Sequence, residues 1–165
     1  MEGHVTGGHP HGVMRRKERE ITEAGELEAI LREGKCMYLA LSEGNKPFMV
    51  PVFYAYDGKA VYFHSAKGGT KIEILKGNNA VCFAVSLDQG IVESESACDF
   101  EARHRTVIGF GRAEFVEEEE AKVEALKRIV ARFTDKQFEF PAANVKATAV
   151  IRIEIDLLKG KKHGM

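Results

Sequence analysis

The chain has 165 residues, 44% of them hydrophobic and 30% charged, and its 24 Lys+Arg against 25 Asp+Glu leave a formal net charge of −1. A chain of this length buries roughly 68–70% of its unfolded surface, so a single core is expected and a wholly disordered chain is excluded. The even charge leaves no footprint for nucleic acid, and no apolar run approaches the ~20 residues of a membrane-spanning helix.

Residues 1–13 are rich in Gly and His and lack an apolar period; His4, His9 and His11 are read as a polar tail rather than a metal tract. Residues 22–34 predict a helix, with Thr22 as N-cap, Leu27, Ile30 and Leu31 at helical spacing, and Gly34 as the stop. The period then drops to two. A strand is expected over 36–43, with Met37, Leu39 and Leu41 on one face. A second follows over 48–56, where Pro51 calls for an edge position or a bulge. Asp57-Gly58 is a hairpin signal, and a third strand over 59–65 sets Val61 and Phe63 against Tyr62 and His64.

A short helix is expected over 68–76 and a fourth strand over 80–87, with Val81, Phe83, Val85 and Leu87 inward. Residues 88–103 read as a polar loop of the length that usually carries function or disorder. A fifth strand over 104–116 contains Gly109 and Gly111, which mark a close approach to the backbone or a barrel bend. The helix over 117–133 opens on four acids, which suit the positive end of its dipole, and its apolar stripe is Val123, Leu126, Val130 and Phe133. The last strand, 147–157, alternates Ala149, Ile151, Ile153 and Ile155 with polar residues, and 159–165 reads as a basic, solvated tail. The result is a mainly β fold: a six-stranded antiparallel split β-barrel with short flanking helices, forming one domain over 14–158. A half-open barrel of this size often completes its core with a second copy, so a homodimer is expected.

Cys36, Cys82 and Cys98 are an odd, sparse set without C-x-x-C spacing, which points away from zinc and disulfides and toward a reducing cytoplasm. The stretch 62–71 holds the main candidate chemistry: a strand ends in His64-Ser65, crosses a glycine pair and enters a helix at Thr70-Lys71. A helix N-terminus with hydroxyls and lysines suits a phosphate, although a βα turn with surface lysines has the same sequence. One lysine supplies at most ~4 kcal/mol at 4 Å and an effective dielectric of 20, before desolvation, so a second cation is needed. Arg105, beside Thr106, is the candidate, because a guanidinium grips phosphate through two parallel bonds. Pro51 frees backbone groups around Val50 and Val52 that could bind the edge of a heterocycle. The pattern is not a nucleotide P-loop, so ATP is not expected.

Several segments occur in order: residues 15–21, Val50-Pro51-Val52, Tyr62-Phe63-His64-Ser65-Ala66, Gly69-Thr70-Lys71 and Leu75, Val81-Cys82-Phe83, Cys98-Asp99, Arg105 to Ala113 and Thr148 to Ile153. Together they resemble the nitroimidazole-reductase branch of the pyridoxamine-phosphate-oxidase-like flavoproteins, over about residues 14–158. The resemblance implies a split-barrel homodimer binding FMN at the subunit interface, with FAD as the alternative. It implies Lys71 and Arg105 at the phosphate, with Thr70 and Thr106 beside them. Phe63, His64 and Ser65 would line the flavin and Val50, Pro51 and Val52 would lie along the ring. His64 is the candidate catalytic residue. This chain has Gly69-Thr70-Lys71 where the family commonly has Gly-Arg-Lys, and His104-Arg105-Thr106 where it has Tyr-Arg-Ser. Losing an arginine from the phosphate turn bears on the choice between FMN and FAD. The implied function is electron transfer from a reduced pyridine nucleotide or other donor to a small organic acceptor such as a nitro-aromatic. A non-catalytic flavin- or haem-binding module is the alternative, and oxidation of a pyridoxamine phosphate is disfavoured.

Overall fold

The structure, a computed structural model, describes residues 12–165. His4, His9 and His11 therefore lie outside the described residues. After a 3₁₀ turn at Lys17–Arg19 come β1 (Glu20–Ile21), α1 (Ala24–Glu33), β2 (Cys36–Glu43), β3 (Lys46–Phe53), β4 (Ala55–Tyr56) and β5 (Ala60–Ala66). They are followed by α2 (Thr70–Gly77), β6 (Ala80–Val92), β7 (Glu101–Phe115), α3 (Glu119–Ala131), α4 (Ala142–Ala147) and β8 (Thr148–His163).

The pairing is antiparallel throughout, in the order β3-β2-β6-β7-β8-β5-β4, with β1 added alongside β8. The two ends of this sheet, β3 and β4, are consecutive in the chain and joined through Tyr54. The sheet therefore curls until β3 approaches β5 across a seam that no ladder closes. This is the expected split barrel, with eight strands rather than six because β1 and β4 are two-residue pairings too short to leave a period in the sequence. Pro51 does sit on an edge strand, where its missing N–H costs the sheet little.

The alternating residues fill the barrel. Met37, Leu39, Phe63, Phe83, Val85, Val107, Ile151 and Ile153 are all fully buried, and α1 closes one end with Leu27, Ile30 and Leu31. A smaller cluster, Ala125, Leu126, Val145 and Val150, holds α3 and α4 on the outside.

Four expectations are corrected. Thr22 does not cap α1; Glu23 stands at that position, without a side-chain cap bond. The supposed loop 88–103 is mostly sheet, because β6 runs to Val92 and β7 starts at Glu101 with a register shift between Asp88 and Ile91. The supposed basic tail is strand as far as His163: Lys159, Lys161 and Lys162 pair with Ile108, Thr106 and Arg105. Lysines on a long β-ribbon look like a solvated tail because their stems lie along the sheet while their charges reach water. On α3 the buried stripe is Lys122, Ala125, Leu126 and Ile129, rotated from the expected one. Phe133 is instead half-exposed, edge-on to Phe53 at 5.3 Å.

Candidate functional site

The sequence-derived candidates fall into two groups, although Val50 and Pro51 of the first lie in the rows of Gly109 and Ile108, within a few residues of Arg105. The first lies along the seam. Val50 and Val52 turn half-buried side chains to the core and Pro51 faces out. On β5, Phe63 and Ser65 point inward and His64 points out, as a period of two demands. Phe63 is fully buried, so its backbone alone is left for a ligand. Ser65, 8% exposed, is one of two buried polar or charged side chains among the described residues. The chain leaves β5 through Gly69 at φ 107°, a left-handed turn that suits glycine, and enters α2. Thr70 is exposed and Lys71 half-buried at the first two positions of α2, where helix N–H groups and the dipole favour an anion.

The second group is Arg105 and Thr106. Arg105 pairs with Leu87 and Lys162 near the start of β7, and its Nη2 donates to Glu33 Oε2 at 2.7 Å, at the end of α1. Its side chain is only 16% exposed, and its Nε is buried without a hydrogen-bond partner. Thr106 faces the opposite side and shares a hydrogen bond with Ser86 Oγ at 3.0 Å. His104 Nδ1 stands 3.4 Å from the same Thr106 hydroxyl. Partial burial and then the nearby Lys161, His163 and Arg19 hold His104 below the usual histidine range.

One chain does not bring the two groups together. Phe115, at the other end of β7, pairs with Ile151 and lines a cavity beside α2. Ten residues of strand separate it from Arg105, roughly 30 Å along β7. Lys71 and Arg105 therefore belong to different ends of one copy.

A cavity of about 390 Å³ lies outside the barrel between α3, the 134–141 segment and α4. Its walls include Leu126, Ile129, Phe138, Phe140 and Val145, and His64 stands at its edge. The exposed His64 side chain has no hydrogen bond or ion pair among the described residues. A second cavity of about 390 Å³ lies at the end of the barrel, lined in part by Lys67, Lys76 and Lys122.

The sequence reading missed several of these residues. Glu33 was hidden as one more acid on a polar helix face. Helix α4 follows Pro141 and is built from Ala-Ala-Asn-Val-Lys-Ala, a start and composition that could have announced it. Lys122 lies outside the stripe expected from the sequence, yet it is 7% exposed.

The outer face of the sheet carries an apolar band. Pro51, Tyr38, Ala84 and Ile108 sit directly across from one another on β3, β2, β6 and β7, and Met49, Ala40, Cys82 and Phe110 make the next row. Met49 is 64% exposed, Tyr38 52% and Ile108 38%. Half-burial raises the Cys82 thiol above its usual pKa. Among the described residues no group of His, Cys, Asp and Glu is arranged to hold a metal ion, and no helix is long and apolar enough to cross a membrane.

No curated protein matches the chain. Solved structures do. A candidate 5-nitroimidazole antibiotic resistance protein of Bacteroides thetaiotaomicron is 29% identical across 86% of this chain and 85% of its own, with a TM-score of 0.78. The flavocytochrome Anf3 of Azotobacter vinelandii is 26% identical across 96% of this chain and 75% of its own, with a TM-score of 0.85. The FAD and heme binding protein of Mycobacterium smegmatis, 19% identical over 89% and 74% of the two chains, shares the fold with a TM-score of 0.80. The family model for pyridoxamine 5′-phosphate oxidase matches residues 23–162, and with the order of strands around the open seam this places the chain in that family.

Proposed function

We propose that the protein is a flavin-binding oxidoreductase, FMN-dependent, which passes electrons from a reduced pyridine nucleotide or similar donor to a small organic acceptor such as a nitro-aromatic. It does so as a homodimer. The observation that carries this reading is the pair of anion-ready groups: Thr70 and Lys71 at the open end of α2, and Arg105 with its buried, partnerless Nε. Buried polar atoms are normally satisfied, so this Nε fits a ligand oxygen. Solved structures described as a flavocytochrome and as a nitroimidazole resistance protein support the cofactor and the substrate class. FAD is the alternative flavin, because Thr70 leaves the turn with one cation fewer than an arginine would give.

Because one copy separates Lys71 from Arg105, the proposed phosphate grip is shared: Lys71 comes from one copy and Arg105 from the other. The apolar band over Tyr38, Met49, Pro51 and Ile108 is the face that a second copy would cover. When bound, a flavin supplies the redox chemistry of its isoalloxazine ring. The chain's own residues then have separate tasks. Lys71, Thr70 and Arg105 hold the phosphoryl end, the backbone of Val50, Pro51 and Val52 lies along the ring edge, and Ser65 offers a hydroxyl. His64 holds or gives a proton, and Phe138 and Phe140 keep water from the apolar cavity beside it.

The test starts with the visible spectrum of the protein as isolated and the mass of any released ligand. Flavin absorbance that bleaches with NADH or NADPH and returns on adding a nitro-aromatic is the expected result. Colourless protein, or a flavin that no reductant bleaches, overturns it. The shared grip has its own test. Lys71→Ala and Arg105→Ala should each lose most of their flavin, but in mixed dimers one site carries both lesions and the other none. Mixed dimers that recover up to about half occupancy support sharing, and recovery of none places both cations in one chain's site. A haem module is the second reading, favoured by the apolar cavity with His64 at its edge. A Soret band lost in His64→Ala would select it.

A further inference from the structure

The cavity at the barrel end is lined by Lys67, Ile72, Lys76, Phe115, Val116, Glu117, Lys122, Ala149 and Val150, and thus by neither Thr70 nor Lys71. Its floor and walls are apolar: Ile72 is 1% exposed, Ala149 6% and Val150 1%. Lys122 is the anomaly. It comes from the buried face of α3, is 7% exposed, and donates from Nζ to the Thr148 carbonyl at 3.2 Å. That bond uses one of three N–H donors. Lys76 is held by Glu73 at 2.9 Å, whereas Lys67 and Lys122 form no ion pair with any carboxylate among the described residues. Buried ammonium groups are almost always paired, because desolvation of a lone charge is costly. The exposed Glu117 is the one carboxylate of the lining.

We propose that this cavity is a second ligand site that takes a small organic carboxylate with a compact apolar body, its charge set between Lys122 and Lys67 and its body against Ile72, Phe115 and Val116. Two ammonium groups without a guanidinium fork make a poor grip for a phosphate dianion, and Glu117 repels a second negative charge. A single negative charge on an apolar body satisfies Lys122 and fills the walls. The site is independent of the flavin, since its lining omits Thr70, Lys71 and Arg105.

The experiment is calorimetric titration of the protein as purified with benzoate, with benzamide as its neutral near-isostere and with inorganic phosphate. Benzoate should bind one per chain, at least about tenfold more tightly than benzamide, the ratio expected for a hydrogen bond to a charged group, and more tightly than phosphate. Lys122→Met should reduce benzoate affinity by about tenfold or more while leaving the flavin content unchanged, and Lys67→Gln should reduce it by a smaller factor. Equal binding of benzoate and benzamide, stronger binding of phosphate, no saturation by benzoate, or unchanged affinity in both variants overturns the proposal. If Lys122→Met does not fold, the wild-type comparison and Lys67→Gln decide it. Flavin content is read in every sample, so loss of this site and failure of the flavin reading remain separate results.

Discussion

Gly109 illustrates how one missing side chain can be read two ways. On sequence, the glycines of β7 could admit a flat ring against the backbone or bend the barrel. A flat ring is indeed there, but it is the protein's own: a Cβ on Gly109 would overlap the ring of the fully buried Phe83, its partner across β6 and β7. Gly111 lies against the backbone carbonyl of Glu154, beside the register shift after Phe110. These glycines therefore belong to the packing of the core. Gly109→Ala should cost about 1–3 kcal/mol through overpacking, read as a lower urea midpoint with an unchanged slope. Phe83→Leu alone should also destabilise, yet the double variant should be more stable than the sum of the two losses predicts, because the smaller side chain vacates the space the new methyl needs. Strict additivity would mean that the ring and the glycine are not in contact.

At the scale of the element, the end of α1 shows what periodicity cannot supply. The apolar positions Leu27, Ile30 and Leu31 were legible from spacing, as were the inward rows of β2, β5, β6 and β8, because burial on one face leaves a period in the residues. The groups that finish the helix come from far along the chain. The Tyr54 hydroxyl donates to the Leu31 carbonyl at 2.8 Å, and Arg132 donates to the Gly34 carbonyl. Burial raises the Tyr54 phenol well above its usual range, so it remains a donor. No local pattern announces such partners; neither does one announce that β6 and β7 continue as a ribbon through residues chosen for solubility. For the candidate site, the turn at Gly69 to Lys71 was legible because it is local. The separation of Arg105 from Lys71 was not, since it depends on which end of a 15-residue strand faces α2. Tyr54→Phe removes the hydroxyl and leaves the Leu31 carbonyl without that donor, at an expected cost of about 1–3 kcal/mol. Hydrogen exchange of the α1 amides should accelerate with it; protection unchanged from wild type would show that water replaces the bond without loss.

For the molecule as a whole, the split seam and the exposed band pose one problem with one solution. A barrel that leaves β3 and β4 without a ladder between them has edges, and natural sheets protect their edges by covering, twisting or pairing them. Here β3 also turns Met49 and Pro51 outward beside Tyr38, Ala84 and Ile108, in rows fixed by the pairing of four strands. Charge is sparse in these rows and returns two positions past Phe110 on β7, where Arg112 pairs with Asp156 at 3.3 Å. The proposed two-fold pairing through the band would be self-complementary and would also supply each Lys71 end with a guanidinium that its own chain keeps at the far end. On that proposal, assembly and cofactor retention should rise and fall together. Ile108→Glu, which places a carboxylate in the middle of the band without touching either cation's own hydrogen bonds, should convert the proposed dimer to monomers in sedimentation analysis and strip most of its flavin. The folded barrel should persist, since Ile108 is outside the core, and far-ultraviolet circular dichroism checks this. A monomeric wild type, or a monomeric variant that keeps its flavin, would separate assembly from binding and return the phosphate grip to a single chain.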